Sequence, residues 1–159
     1  MKIEVRDLVK HFGKAKAVDG VSFTFGAGEI CGFVGPNGSG KTTTMRIIST
    51  MDEPTAGDVL VNSVSVIQNP EQARRMIGFV PDSLPEYNDI TVHEYLDFFA
   101  RAYGLKGKER RKVVEGVEEF TNVVNIRDKV LKALSKGMKQ RVSLGRALVH
   151  DPGVMILDE

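Results

Sequence analysis

The chain has 159 residues, of which 42% are hydrophobic and 27% are charged, a balance typical of a soluble globular domain that argues against disorder. Its 22 basic and 21 acidic residues leave a formal net charge of +1, so no overall charge excess favours nucleic acid or an anionic membrane as a partner. The single cysteine excludes an internal disulfide and fits a reducing compartment.

The N-terminal part of the chain has the pattern of β-strands. Alternating apolar residues over 3–8 and the apolar content of 18–25 predict two strands. The run 29–34 predicts a third, buried strand, in which we expect Cys31 to be a small core residue. No signal peptide is recognisable, and no run reaches the ~18 apolar residues of a membrane span, so we expect a cytoplasmic protein.

Residues 35–42, Gly-Pro-Asn-Gly-Ser-Gly-Lys-Thr, fit the phosphate-loop pattern G-x-x-x-x-G-K-[ST] between a predicted strand and a predicted helix over 42–49. Glycines let such a loop curl its N–H groups toward phosphate oxygens, and the helix N-terminus adds a favourable dipole. The flanking elements argue against a glycine-rich loop without function. The predicted nucleotide-binding residues are Gly35, Pro36, Asn37, Gly38, Ser39, Gly40, Lys41, Thr42 and Thr43. Lys41 would neutralise the β- and γ-phosphates, and the Thr42 hydroxyl would bind Mg²⁺.

The rest of the chain alternates strands and helices and then turns helical. Strands are predicted over 58–61, 77–80 and 154–157, and helices over 70–75, 91–103, 108–120 and 136–149. Thr91 and Glu94 form a capping-box pattern at the start of one helix, and Gly104 follows its end. We therefore predict an α/β fold with one domain, residues 1–159, whose core lobe is 1–89 plus 151–159 and whose helical subdomain is 90–150.

The chain's last strand is followed by two carboxylates. We expect the strand over 154–157 to be buried on both faces and to deliver Asp158 at its carboxyl end, where open α/β sheets hold ligands. Asp158 would reach the Mg²⁺ shell, and Glu159 would polarise the water that attacks the γ-phosphate. The alternative is a strand that ends in a solvated acidic turn.

Residues 134–141, Leu-Ser-Lys-Gly-Met-Lys-Gln-Arg, resemble the L-S-G-G-Q signature of ATP-binding cassette (ABC) proteins, with Lys136 and Met138 as departures. The resemblance covers essentially the whole chain. It implies a P-loop NTPase core with an N-terminal antiparallel β layer and an inserted helical subdomain. It also implies a head-to-tail dimer, in which Ser135 and Gly137 face the γ-phosphate held by the other subunit. Without it, Ser135 would simply cap the helix over 136–149.

Two more site residues follow from the same resemblance. Phe12 occupies the place of the aromatic residue that stacks on adenine, although alone it would be a surface-loop or core aromatic. Asp82 aligns with the glutamine that touches Mg²⁺ or the attacking water, although alone it is an ordinary turn former. The implied catalytic residues are Lys41, Asp82 and Glu159, and the implied metal ligands are Thr42, Asp82 and Asp158.

The resemblance implies the ATP-binding subunit of an ABC transporter, an ATPase with ATP and Mg²⁺ as cofactors. It would lie on the inner face of the cell membrane, bound to a polytopic permease subunit, with a weak leaning toward export and no nucleic-acid partner. One alternative is a soluble ABC ATPase of translation or DNA repair, and another is a nucleotide-binding fragment without turnover. Because the chain ends at Glu159, we expect a C-terminally truncated domain with little turnover alone.

Overall fold

The computed structural model describes residues 1–84 and 87–158. They form two compact units, residues 1–77 and residues 78–159, and the boundary falls at a strand. Each unit has its own sheet, and each is described separately below. The division into a core lobe and a helical subdomain at 90–150 is a different partition and stays a prediction.

The first unit is built on a four-stranded antiparallel sheet. Its strands are β1 (Lys2–Phe12), β2 (Ala15–Gly26), β3 (Ala56–Val61) and β4 (Val64–Ser65), in the order β2-β1-β3-β4. Ile3 lies opposite Phe25 on one side and Val61 on the other. Ile3 and Val5 are buried on one face of β1, because alternate side chains of a strand point the same way. Leu8 is also buried, although it lies three residues after Val5, because the pairing of β1 with β2 shifts register between Val5 and Leu8.

Two helices complete the first unit, α1 (Lys41–Ile48) and α2 (Pro70–Arg74). The segment after α1 is anchored to the sheet by the Lys10 ammonium, which donates to an Asp52 carboxylate oxygen at 2.7 Å and to the Glu53 carbonyl at 2.6 Å. The hydrogen bond from Lys10 holds the pKa of Asp52 below its ordinary value.

The predicted strand over 29–34 is wrong. The segment is irregular, Ile30 is 100% exposed, and Cys31 is exposed rather than part of the core. A strand needs a partner to satisfy its backbone hydrogen bonds, and no strand of residues 1–84 or 87–158 pairs with this segment. Apolar content alone therefore did not make it a strand.

The second unit is mainly helical. Its helices are α3 (Val92–Ala102), α4 (Gly107–Phe120) and α5 (Lys136–Leu148), with short 3₁₀ turns at Val124–Ile126 and Leu131–Ala133. Their inner faces share one core, which includes Leu96, Val114, Leu131 and Val142. Of the aromatic residues of α3, Tyr95 is buried and Phe99 packs against this core, but Phe98 is exposed.

The capping box predicted for α3 is present. The Thr91 hydroxyl accepts from the Glu94 backbone N–H at 3.2 Å, and the Glu94 carboxylate accepts from the Thr91 backbone N–H at 2.8 Å. The Thr91 backbone donor, together with its hydroxyl, holds the pKa of Glu94 below its ordinary value. The start of α3 is thereby fixed by local chemistry.

Helices α3 and α4 run antiparallel as a hairpin. Near the connecting loop, Arg110 Nε lies 2.7 Å from Asp97 Oδ1. At the other end, His93 Nδ1 lies 2.6 Å from an oxygen of the buried Glu118. The first contact joins the middle of α3 to the start of α4, and the second joins the start of α3 to the end of α4. The two helices are therefore antiparallel, and the loop over 103–106 is the tip of the hairpin.

The second unit also contains a two-stranded sheet of β5 (Ile77–Val80) and β6 (Val154–Leu157), both predicted from the sequence. The expectation that β6 is buried on both faces is wrong. Ile156 is buried, but Leu157 is 59% exposed, because β5 is the only strand paired with β6 among the described residues. The α/β class and the N-terminal antiparallel layer are as predicted.

Candidate functional site

The phosphate loop lies in the first unit, between the irregular segment and α1. Residues 35–39 are exposed, and Gly40 caps α1 in a left-handed conformation with φ of 88°. A Cβ at Gly40 would run into the Ala17 carbonyl oxygen and would lie 3.3 Å from Val18 Cγ2. Only glycine fits this combination of φ and close approach, so the loop is seated against β2 by its backbone.

Lys41 lies over the loop from the first position of α1. Its ammonium donates to the carbonyls of Gly35 at 2.8 Å and Pro36 at 2.9 Å. The positive charge is therefore held at the mouth of the loop, next to the N-terminal end of a helix. Both features favour an anion. Thr42 is exposed and Thr43 half-buried on the same first turn.

Phe12 ends β1 in the same unit. Its ring is 54% exposed, and the Lys10 ammonium lies 5.0 Å from the ring centroid. Phe12 pairs with Ala15 of β2, and Gly40 packs against Ala17, two residues further along β2. The end of the β1–β2 hairpin thus carries the aromatic ring and contacts the phosphate loop.

The predicted carboxylate ligands lie in the second unit. The Asp158 backbone N–H donates to the Val80 carbonyl at 2.9 Å, so the carboxyl ends of β5 and β6 lie side by side. Asp158 is buried, and Asp82, two residues after Val80, is exposed. The structure therefore brings the regions of both predicted ligands to one sheet edge. Glu159, the predicted water-activating residue, lies outside the described residues.

The signature residues start α5. The Ser135 hydroxyl caps the helix by accepting from the Met138 backbone N–H at 3.4 Å, a long hydrogen bond, and Gly137 is exposed on the first turn. Within the unit, the Arg146 side chain further along α5 donates to the Phe79 carbonyl of β5 at 2.6 Å. This contact ties the signature helix to the strand that leads to Asp82.

A cavity of about 410 Å³ lies between the turn after β5 and α5. Its walls are Pro81, Asp82, Ser83, Leu84, Lys136, Lys139, Gln140 and Ser143. Ser143 was missed by the sequence reasoning. It is buried, and its hydroxyl has no hydrogen-bond partner among residues 1–84 and 87–158. The available signal was the helical spacing of polar residues at 136, 139, 140 and 143 along one face of α5.

The structure thus groups the predicted site residues in two sets. Phe12 and residues 35–43 belong to the first unit, and Asp82, Ser135, Gly137 and Asp158 belong to the second. In the part of the chain described, no three His, Cys, Asp or Glu side chains cluster closely enough to hold a metal ion. The same part contains no helix with both the length and the apolar character of a bilayer span.

The family model described as "ABC transporter" matches residues 18–159. Among curated proteins, the Nod factor export ATP-binding protein I of Burkholderia lata is 40% identical over 99% of this chain and 52% of its own length. The probable multidrug ABC transporter ATP-binding protein YbhF of Escherichia coli is 34% identical over 99% of this chain and 27% of its own length. The chain thus spans about half the length of the Nod factor export proteins it matches.

Solved structures give the same result. The structure of an ATP binding subunit of an ABC transporter superimposes with a TM-score of 0.88 at 30% identity, covering 100% of this chain and 66% of that one. An ATP-binding cassette in a dimeric post-hydrolysis state, bound to ADP and Pi, gives 0.87 at 26% identity and covers 99% and 73%. The predicted P-loop NTPase fold class and the predicted family are both confirmed.

Proposed function

This chain belongs to the ABC transporter family, and from that premise we propose that it binds ATP with Mg²⁺ and hydrolyses it to ADP and phosphate to drive a separate membrane subunit. The observation that carries the proposal is the phosphate loop, where Lys41 holds a positive charge over exposed backbone at the start of α1. Export names recur among the relatives, so we propose export as the direction.

In this proposal, the predicted site residues of the first unit bind different parts of the nucleotide. The backbone N–H groups of the loop bind phosphate oxygens, and Lys41 exchanges its hydrogen bonds to Gly35 and Pro36 for bonds to the β- and γ-phosphates. The exposed ring of Phe12 stacks on the adenine. The first unit therefore fixes the position of the nucleotide.

The second unit contributes the oxygen ligands and the water-activating group. Mg²⁺ prefers hard oxygen ligands and, when bound, would neutralise charge on the phosphates. The carboxylates of Asp158 and Asp82, and the hydroxyl of Thr42 in the first unit, are oxygen donors of the kind that would hold it. Glu159 would orient the attacking water and accept its proton. Ser135 and Gly137, exposed at the start of α5, would meet the γ-phosphate of a nucleotide bound by a second copy of the cassette.

Nucleotide binding tests the core of the proposal. We expect Mg·ATP to bind this chain in isothermal titration calorimetry and Lys41→Ala to weaken binding about 10- to 100-fold, since a hydrogen bond to a charged group is worth about 1.5–3 kcal/mol. Lys2→Ala, which removes an exposed lysine of the same unit at the opposite end of β1 from Phe12, is the matched control and should bind normally. Equal affinity of Lys41→Ala and Lys2→Ala would refute the assignment.

Turnover tests the catalytic part and is measured in the full-length protein. We expect Glu159→Gln to retain ATP binding and to lose hydrolysis about 10²- to 10⁴-fold, the range for loss of a general base. Hydrolysis that survives this substitution unchanged would remove Glu159 from the mechanism while leaving the binding site in place.

A further inference from the structure

The charges of α4 are separated along its length. The N-terminal half carries the basic residues Lys108, Arg110, Arg111 and Lys112, and the C-terminal half carries the acidic residues Glu115, Glu118 and Glu119. Basic side chains at a helix N-terminus oppose the helix dipole, and Glu109 alone counters them in the first turn. Lys106, at the N-cap, makes no side-chain capping bond. The helix dipole therefore disfavours this arrangement of charges.

Three of these residues form one solvent-facing row. Lys108, Arg111 and Lys112 are spaced at i, i+3 and i+4, so they lie together on the side of α4 opposite the buried Val114 and Val117. Like charges at this spacing repel one another, and the first acidic residue on the same face is the exposed Glu115, at i+4 from Arg111 and i+3 from Lys112. Within residues 1–84 and 87–158, these three side chains are exposed and have no ion-pair partner. Arg110, by contrast, is paired with Asp97 and points away from the row.

The tip of the hairpin extends the positive charge of this row. Lys106 is exposed in the connecting loop, two residues before Lys108. Arg101, near the end of α3, is largely exposed, but it contacts the Asp97 carboxylate as Arg110 does and is not part of the row. A cluster of four or more basic residues on an amphipathic helix is typical of surfaces that bind anionic lipid.

We propose that this basic surface, defined as Lys106, Lys108, Arg111 and Lys112, binds the anionic headgroups of a lipid bilayer directly. The proposal rests on the proposed function, which puts the chain beside a membrane subunit, and adds a second contact with the membrane that needs no protein partner. Basic side chains within a Debye length of an anionic leaflet are attracted to it. With a whole-chain net charge of only +1, the attraction must be local to this surface.

Vesicle flotation of the 159-residue chain tests the proposal. We expect binding to phosphatidylcholine vesicles that contain phosphatidylglycerol, little binding to pure phosphatidylcholine, and release at 0.5 M salt (about 4 Å of screening length). The triple variant Lys108→Gln/Arg111→Gln/Lys112→Gln should lose about 100-fold in partitioning, or about fivefold per basic residue. The control Lys14→Gln/Lys16→Gln/Lys129→Gln changes the net charge equally at exposed positions elsewhere and should bind vesicles like the unmodified chain.

Several results would overturn the proposal. One is an equal loss of vesicle partitioning in both triple variants, and another is equal binding of the chain to neutral and anionic vesicles. A third is that the chain binds duplex DNA or RNA, that the first triple variant abolishes this binding, and that the chain does not bind anionic vesicles. Circular dichroism confirms that both variants are folded, and ATP affinity is measured in parallel. A chain that binds anionic vesicles but no ATP would refute the proposed function and not the lipid contact, and the reverse result would refute only the lipid contact.

Discussion

The phosphate loop of the first unit is exposed over residues 35–39 and takes its shape from its backbone, whereas the site residues of the second unit extend from packed elements. Asp158 is buried at the end of β6, and Ser135 begins a helix whose inner face joins the common core. In the first unit the loop is held by hydrogen bonds from Lys41 to the carbonyls of Gly35 and Pro36 and by the close approach of Gly40 to β2. The two halves of the proposed site are therefore sensitive to different kinds of change.

This difference teaches where stability and binding are expected to separate. Removing volume from the second unit should destabilise it while leaving the phosphate loop chemically unchanged. Altering a backbone angle in the phosphate loop should weaken nucleotide binding more than the few contacts of the loop suggest. The reason is that the N–H groups of the loop bind phosphate only in one loop conformation. The four predictions below test this separation in order of expected effect.

Leu96→Ala should cause the largest loss of stability. Leu96 is fully buried in the core shared by α3, α4 and α5, and a buried Leu→Ala change costs about 2–5 kcal/mol through lost burial and the cavity left behind. Urea unfolding followed by circular dichroism measures the loss, and hydrogen exchange shows whether it is confined to residues 78–159.

Phe98→Ala, two residues along α3, is the matched control for that experiment. Its ring is mostly exposed, so we expect a change within about 0.5 kcal/mol. If the two substitutions cost the same, packing is not what holds the second unit.

Gly40→Ala should have the next largest effect, and mainly on nucleotide binding. Alanine would be strained at φ of 88° and its Cβ would meet the Ala17 carbonyl oxygen, at a combined cost of about 2–4 kcal/mol. We expect calorimetry to show ATP affinity reduced at least as far as by Lys41→Ala.

Gly38→Ala separates the two causes at Gly40. Gly38 also has a positive φ, 80°, but a Cβ there meets open space. We therefore expect Gly38→Ala to cost about 1–2 kcal/mol, from backbone strain alone. An equal effect at both glycines would mean that close approach to β2 does not shape the loop.

The elements that the sequence predicted well are those defined by local signals. The capping box at Thr91 and the strands over 3–8 and 154–157 appear where predicted. The run 29–34 and the strand over 154–157 each contain four apolar residues, yet only the latter has a partner strand among the described residues. Pairing is a long-range property, and apolar content does not reveal it.

The predicted site residues divide in the same way. The phosphate loop is a contiguous motif whose pattern located Lys41 at the start of α1, and the resemblance to the ABC signature located Ser135 at the start of α5. Ser143 was missed because its place in the cavity wall depends on how the turn after β5 approaches α5. That approach is fixed by tertiary contacts such as the hydrogen bond from Arg146 to Phe79, which no local pattern encodes.

Thr91→Ala should cost about 1 kcal/mol, the usual value for a lost N-cap. Its hydroxyl takes part in a complete capping box, whereas Ser135 caps α5 with a single hydrogen bond of 3.4 Å. We therefore expect Ser135→Ala to cost less, about 0.5 kcal/mol, in the same urea titration. Finding the larger loss at Ser135 would show that this residue, proposed to bind phosphate, is also a main anchor of its helix.

The smallest predicted effect is the acid sensitivity of the contact between Lys10 and Asp52 in the first unit. The Lys10 hydrogen bond lowers the pKa of Asp52 from its ordinary value of 3.8, so the stabilisation is complete above that pH and is lost as the pH falls through the lower folded value. Because the pair is partly open to solvent, its coupling at pH 6 should be only about 0.5–1 kcal/mol. A double-mutant cycle of Lys10→Gln and Asp52→Asn, measured by urea unfolding at pH 6 and pH 3, isolates the pairwise contribution. A coupling energy that grows toward pH 3 would contradict the lowered pKa of Asp52. A coupling energy larger than the cost of Thr91→Ala would show that side-chain contacts stabilise the first unit more strongly than its exposed phosphate loop suggests.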